Sequence, residues 1–140
     1  MTNQELAEKN VRDMVDNDPY SRWLGIQVLE ITPGKVKAKM SVRNDMLNAF
    51  RVCHGGVTFA LADSVLAFSC NTHGKISVSI EASMAYPNPV YEGDVIIASA
   101  EEQSSTEKIG IYNVSVKKEN GTLVGVFRGV VYRTKKEFSV

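Results

Sequence analysis

The sequence predicts an α+β fold in which an antiparallel β-sheet wraps around one long central α-helix. Three observations carry the expectation. Residues 54–73 hold a single charged side chain, Asp63, among apolar and small ones. Segments with a period of two stand before and after that stretch, and the later ones are joined by short turn signals. A helix that is apolar almost all the way round needs cover on more than one side, and a curled sheet supplies part of it.

Taken in order, Leu6, Val11, Met14 and Val15 make one stripe of a short helix from about Gln4 to Val15, which "NDPYSRWLG" breaks at Pro19. Residues 1–19 therefore read as a helical flank on a single domain spanning 1–140. "GIQVLEITPGKVKAKMSV" gives two strands about a Pro33-Gly34 turn, with Val36, Ala38, Met40 and Val42 alternating against Lys35, Lys37, Lys39 and Ser41. "RNDMLNAFRVC" has no sustained period and reads as a loop. The helix can then run from about His54 to about His73, about 30 Å, before Gly74 ends it. Four strand-like segments follow: "KISVSIEASMAYPNP", "GDVIIASAEEQSS", "EKIGIYNVSVKKENG" and "GTLVGVFRGVVYRTKK". Asn120-Gly121 predicts a type I′ hairpin, and Gly110, Gly125 and Gly129 predict bends or bulges.

The 140 residues are 44% hydrophobic and 23% charged, with 16 basic side chains against 16 acidic ones. No long block of either sign occurs, which argues against a dedicated nucleic-acid binder, so an anionic ligand must be held locally. The N-terminus lacks the charged-then-apolar pattern of a signal peptide, and no apolar run reaches the roughly eighteen residues of a membrane span. The expectation is a cytoplasmic protein with no membrane partner, in which Cys53 and Cys70 stay reduced.

Asp63 is the feature that demands an explanation. An unpaired carboxylate among Leu61, Val65 and Leu66 costs free energy or takes up a proton. It is either partly exposed, or hydrogen-bonded to neighbours such as Ser64 or Thr58, or part of a site. Gly55 and Gly56 stand where the helix begins, and there the first amides lack intrahelical acceptors and the dipole is positive. Glycines there also let a ligand carbonyl approach the backbone, as an oxyanion hole requires, although a Gly-Gly pair also suits an ordinary loop-to-helix turn. His54 and Asp63 lie nine residues apart, on opposite helix faces and about 13 Å apart along the axis. If both serve one site, a two-fold partner must bring its Asp63 to the first chain's helix start. Cover for the helix and completion of the site thus point to the same homodimer.

The residues Asn48, His54, Gly55, Gly56 and Asp63, spaced N-x5-HGG-x6-D, resemble the signature of the hotdog-fold acyl-CoA thioesterases of the phenylacetic acid degradation family. The resemblance extends through "LADSVLAFSCNTHG" and "YPNPVYEGD" and covers about residues 20–134. It implies a hotdog dimer paired again into a homotetramer, with active sites in the subunit interface, an acyl-CoA substrate, and no cofactor or metal. Gly55 would offer its N–H to the thioester oxygen, with Gly56 beside it. His54 and Asn48 would orient the loop, the substrate or the attacking water, and Asp63 of the other subunit would be the catalytic carboxylate. Ser79 falls where some relatives place a polar helper. The sequence departs from the family between Asn48 and His54, where "AFRVC" replaces a glycine-rich filler. Phe50 and Arg51 are bulkier there and either shape the substrate entrance or form loop surface.

Other readings stay on the table. Cys53, His54, Cys70 and His73 lack a zinc pattern and fall at opposite ends of one helix. Cys53 lacks a third group to orient a nucleophilic pair with His54. Lys117, Lys118, Lys135 and Lys136 either neutralise CoA phosphates or are solvated surface. Tyr86, Tyr91 and Trp23 read as packing residues. A non-catalytic acyl-CoA-binding module and a CoA-linked dehydratase are the alternatives on the same fold.

Overall fold

A computed structural model describes all residues from Met1 to Val140. Helix α1 (Asn3–Asp16) opens on a capping box: the Glu5 N–H donates to Thr2 Oγ1 at 3.1 Å and the Thr2 N–H to Glu5 Oε2 at 2.9 Å. Pro19 does not merely break this helix, as the sequence suggested. It starts a second one, α2 (Pro19–Leu24), because a first-turn residue has no intrahelical N–H bond to lose and Asp18 caps the turn. Gly25, at φ 77°, ends it.

Strands β1 (Gln27–Thr32) and β2 (Lys35–Ser41) pair antiparallel around Pro33-Gly34, with Gly34 at φ 77°. Val36, Ala38, Met40 and Val42 are buried, as their alternation predicted. Helix α3 (Gly55–Cys70) is shorter than expected, at 16 residues or about 24 Å. Asn71–His73 tighten into a 3₁₀ turn, where Asn71 Nδ2 donates to both the Ala67 and Ser77 carbonyls, and Gly74 at φ 94° then closes the end. After α3 come β3 (Lys75–Ala85), β4 (Val95–Ser105), β5 (Ile109–Lys118) and β6 (Leu123–Glu137).

The six strands form one antiparallel sheet in the order β1-β2-β4-β5-β6-β3, leaving β1 and β3 as edges. Its concave face holds α3, and a cluster of 22 buried residues, Leu61, Val65, Leu66 and Phe127 among them, fills the space between. Burying each such side chain contributes about 1.5–3 kcal/mol. Val11 of α1 meets Val36 and Phe68 in a satellite cluster, so the N-terminal helix is packed onto the core.

One turn expectation is corrected. Asn120 does not take a positive φ; only Gly121 does, at 91°, and its N–H returns to the Lys118 carbonyl at 2.9 Å. That is a type I turn followed by a left-handed glycine, which joins β5 and β6 without the type I′ geometry. The strand glycines are sites of close approach. A Cβ on Gly129 would collide with Leu66 of α3, and one on Gly125 with Met84. Only Gly125 adjoins a bulge, where the β5–β6 register shifts after Val116.

Candidate active site

Helix α3 begins where the loop before it is pulled tight. Asn48 Oδ1 accepts the N–H groups of Phe50 at 2.9 Å and Val52 at 3.3 Å, and Leu47 bridges Cys53 across the base. Asn48 therefore organises the loop 48–52. At its tip Phe50 is 86% exposed, and Arg51 takes a left-handed φ of 65°, the only non-glycine residue to do so. Arg51 is exposed, and its guanidinium forms no ion pair or hydrogen bond. Neither side chain is needed for packing.

His54 is the N-cap of α3. Its Nδ1 accepts the Gly56 N–H at 2.9 Å and its carbonyl accepts the Val57 N–H at 2.9 Å. Accepting at Nδ1 leaves the proton of the neutral ring on Nε2, facing outward. A Cβ on Gly56 would sit 2.9 Å from His54 Nδ1, so the cap requires glycine there. The Gly55 N–H has no acceptor in the chain and stands at the positive end of the helix. Tyr86 Oη donates to the Gly55 carbonyl at 2.9 Å, and its ring lies over the Gly55 Cα. Tyr86, expected only to pack, thus holds the peptide of the first helical residue. Nothing in its own sequence neighbourhood reveals this. Beside Gly55 opens a cavity of about 380 Å³ lined by Val52, Thr58, Tyr86 and Val90 among others.

Asp63 lies eight residues further on, about 12 Å along the axis and 80° around it, and lines a different cavity of about 270 Å³ with Leu66, Cys70, Val78, Ser79 and Met14. No hydrogen bond or ion pair reaches its carboxylate. Thr58, offered as a partner by the sequence, faces Cys53 Sγ instead, at 3.9 Å. Burial alone pushes the Asp63 carboxyl above the ordinary carboxylate range. The structure thus brings Ser79 to Asp63, and groups Asn48, Phe50, Arg51, His54 and Gly56 with Gly55. Within one chain it does not bring the two groups together.

The remaining candidates sort on geometry. Burial pushes the Cys53 thiol up despite its contact with Thr58, and drives that of Cys70 up to about 12, so neither is poised as a thiolate; both cysteines are unpaired. Cys53 and His54 stand at one end of α3, Cys70 and His73 at the other. Lys118 is occupied: its Nζ lies 3.0 Å from Asp94 and 4.8 Å over the Tyr91 ring. For Asp94, burial pushes its pKa upward, but the Tyr91 N–H and the Lys118 ammonium outweigh it and hold the carboxyl below its ordinary value. Trp23 stacks on Tyr20 at 6.0 Å and lies under Arg43. No helix is long and apolar enough to cross a membrane.

Comparison with known proteins places this geometry. The family model of the thioesterase superfamily matches residues 50–125. A putative esterase of Archaeoglobus fulgidus is 37% identical over 96% of this chain and 87% of its own length. The acyl-coenzyme A thioesterase PaaI of Escherichia coli K12 is 31% identical over 91% of both chains. The solved structure of the E. coli PaaI protein, from the phenylacetic acid degradation operon, superposes with a TM-score of 0.96 at 28% identity, covering 99% of this chain and all of that one. The sheet wrapped on a central helix is thus the hotdog fold that the sequence predicted. Matched over more than half its length by the family model and over nearly all of it by these relatives, the chain belongs to the thioesterase superfamily.

Proposed function

We propose that the protein hydrolyses acyl-CoA thioesters to a free acid and CoA, with Asp63 of one subunit acting opposite the Gly55 amide of its partner. The observation that carries the reading is Asp63 itself: a carboxylate without a partner, held above its ordinary pKa, lining an apolar cavity. A group kept at that cost to the fold is suited to take a proton from water. The free Gly55 N–H at the start of α3 is the matching donor for a carbonyl oxygen that becomes negative.

A thioester is already activated, so these two groups suffice for the reaction. The thioester oxygen lies on the Gly55 N–H, with the Gly56 backbone close by and its own N–H held by His54. Asp63 removes a proton from water as the water oxygen bonds to the carbonyl carbon, and negative charge gathers on the oxygen facing the amide. The tetrahedral adduct then collapses, the C–S bond breaks, and CoA leaves as a thiolate that takes up a proton. His54 and Asn48 hold the helix start and the preceding loop, Ser79 lines the same cavity as the carboxylate, and Phe50 and Arg51 border the entrance. The step uses no cofactor.

The 12 Å between the two groups on one helix is the reason for a homodimer at least, and we extend this to a homotetramer. The face of α3 that its own sheet leaves partly open carries Gly56, Ala60, Asp63 and Ala67, a stripe at helical spacing. Edge strand β3 exposes Val78 and Ile80 and has no outer neighbour. A cytoplasmic setting suits the two free thiols. The test is thiol release across short, medium, long and arylacetyl CoA esters, with Asp63→Asn alongside. Release that falls at least about 100-fold in the variant supports the reading. No release from any ester, or full activity in Asp63→Asn, overturns it. Sedimentation showing a monomer at micromolar concentration overturns the shared site.

A further inference from the structure

The cavity beside Asp63 takes one of its walls from outside the sheet-and-helix core. Met14 belongs to α1, whereas the other walls come from α3, β3 and β6, or from the turn that ends α3. Its position is fixed by what stands one helical turn earlier. Asn10 is 2% exposed, and its Nδ2 donates to the Asn71 carbonyl at 2.9 Å, at the bottom of the same cavity. Gln4 Nε2 ties the start of α1 to the Ile31 carbonyl at 2.7 Å. A Cβ on Gly74 would come within 3.2 Å of Leu6, so α1 and the end of α3 are in close contact. The helix that carries Met14 is therefore a docked wall.

The far end of this cavity offers a ligand no unused polar partner. The Asn71 amide spends both ends within the chain: Nδ2 on the Ala67 and Ser77 carbonyls, and Oδ1 on the Ser77 N–H at 2.9 Å. The Ser77 hydroxyl turns back to the Lys75 carbonyl. Leu66, Ala67, Cys70, Val131 and Met14 add apolar lining. A carboxylate or hydroxyl at the tip of an acyl group would lose its water there and find no replacement.

We infer that Met14 is a wall of the acyl site and limits the size of the apolar acyl group the enzyme accepts. The inference rests on the proposed thioesterase reading and deepens it. From Asp63 to Cys70 the helix advances about 10 Å. Extended chains advance about 1.2 Å per bond, so the length suits about eight carbons or an arylacetyl group. Replacing Met14 with Ala removes three heavy atoms and opens room for about three more carbons.

The test measures kcat/KM for straight-chain acyl-CoAs from C4 to C12 in the wild type, Met14→Ala and Met14→Phe. Kd is measured in parallel for the non-hydrolysable S-alkyl-CoA thioethers of the same lengths. Each newly buried methylene is worth about fourfold, so the C10-to-C8 ratio should rise about 15-fold in Met14→Ala. In Met14→Phe the C8-to-C6 ratio should fall at least fourfold. Ratios taken within one variant cancel any general loss of folded protein. Superimposable profiles, or shifts of both variants in the same direction, overturn the inference. Thioethers that show the length limit without hydrolysis would overturn the hydrolase reading alone, because they report the cavity and not the reaction.

Discussion

Arg51→Gly should make the protein more stable. A non-glycine residue at φ 65° carries about 1–2 kcal/mol of crowding between its Cβ and the backbone, which glycine removes. Against this, glycine frees the unfolded chain by about 0.5–1 kcal/mol. The Arg51 side chain makes no ion pair or hydrogen bond that the change would forfeit. The net gain is about 0.5–1 kcal/mol. Unfolding entropy near 2.1 cal/mol/K per residue over 140 residues gives about 0.3 kcal/mol/K, so Tm should rise by about 2–3 °C. Differential scanning calorimetry reads that shift, and thiol-release kinetics on the same samples read the function. Arg51→Ala is the control, since it keeps the left-handed strain but removes the guanidinium. If Arg51 meets an anionic part of CoA, both variants raise KM several-fold while only glycine raises Tm. A Tm for Arg51→Gly at or below the wild type would refute the claim that the loop is strained at this residue.

Three further outcomes follow from the site's geometry. The folded Asp63 carboxyl lies above its unfolded value near 3.9, so its contribution to stability is whole below that pH and lost as pH rises through the folded pKa. Asp63→Asn removes this titration and should gain steadily on the wild type as pH rises from about 4 toward neutrality. A difference independent of pH in melts from pH 4 to 8 would contradict it. Tyr86→Phe removes the bond to the Gly55 carbonyl, so kcat should fall up to about tenfold with KM nearly constant, whereas a role confined to packing would move Tm and leave kcat alone. Gly129→Ala drives a methyl group into Leu66 and should cost about 1–3 kcal/mol, read as a drop in the urea midpoint at unchanged m.

The sheet was legible because its strands carry their burial in alternation: Val36, Ala38 and Met40 point inward and the lysines between them do not. The helix start was legible because a glycine pair opens the apolar run there, and Asp63 because a lone charge in an apolar helix has no local reason at all; that His54 caps the helix was not legible. What stayed hidden depends on contacts between distant segments. Tyr86 reaches Gly55 across 31 residues, and Met14 reaches the Asp63 cavity only because Asn10 is bonded to Asn71. The sequence around Gly129 likewise cannot reveal that Leu66 presses on it. Asn120-Gly121 read as a type I′ pair because the dipeptide suits two turn types, and the choice between them is made by the register of β5 on β6.

On the proposed reading, one helix supplies both halves of the chemistry, and this constrains how the site can be built. An α-helix is too stiff to fold its middle back onto its own beginning, so the free amide of Gly55 and the carboxylate of Asp63 are held about 12 Å apart in every protomer. A two-fold axis near the middle of the open stripe solves the problem twice at once, since each helix start then faces the other helix's centre. The small side chains Gly56, Ala60 and Ala67 let two such helices approach with the carboxylate between them. The unpaired carboxylate, which weakens the isolated chain, thereby becomes the group around which the assembled site is arranged.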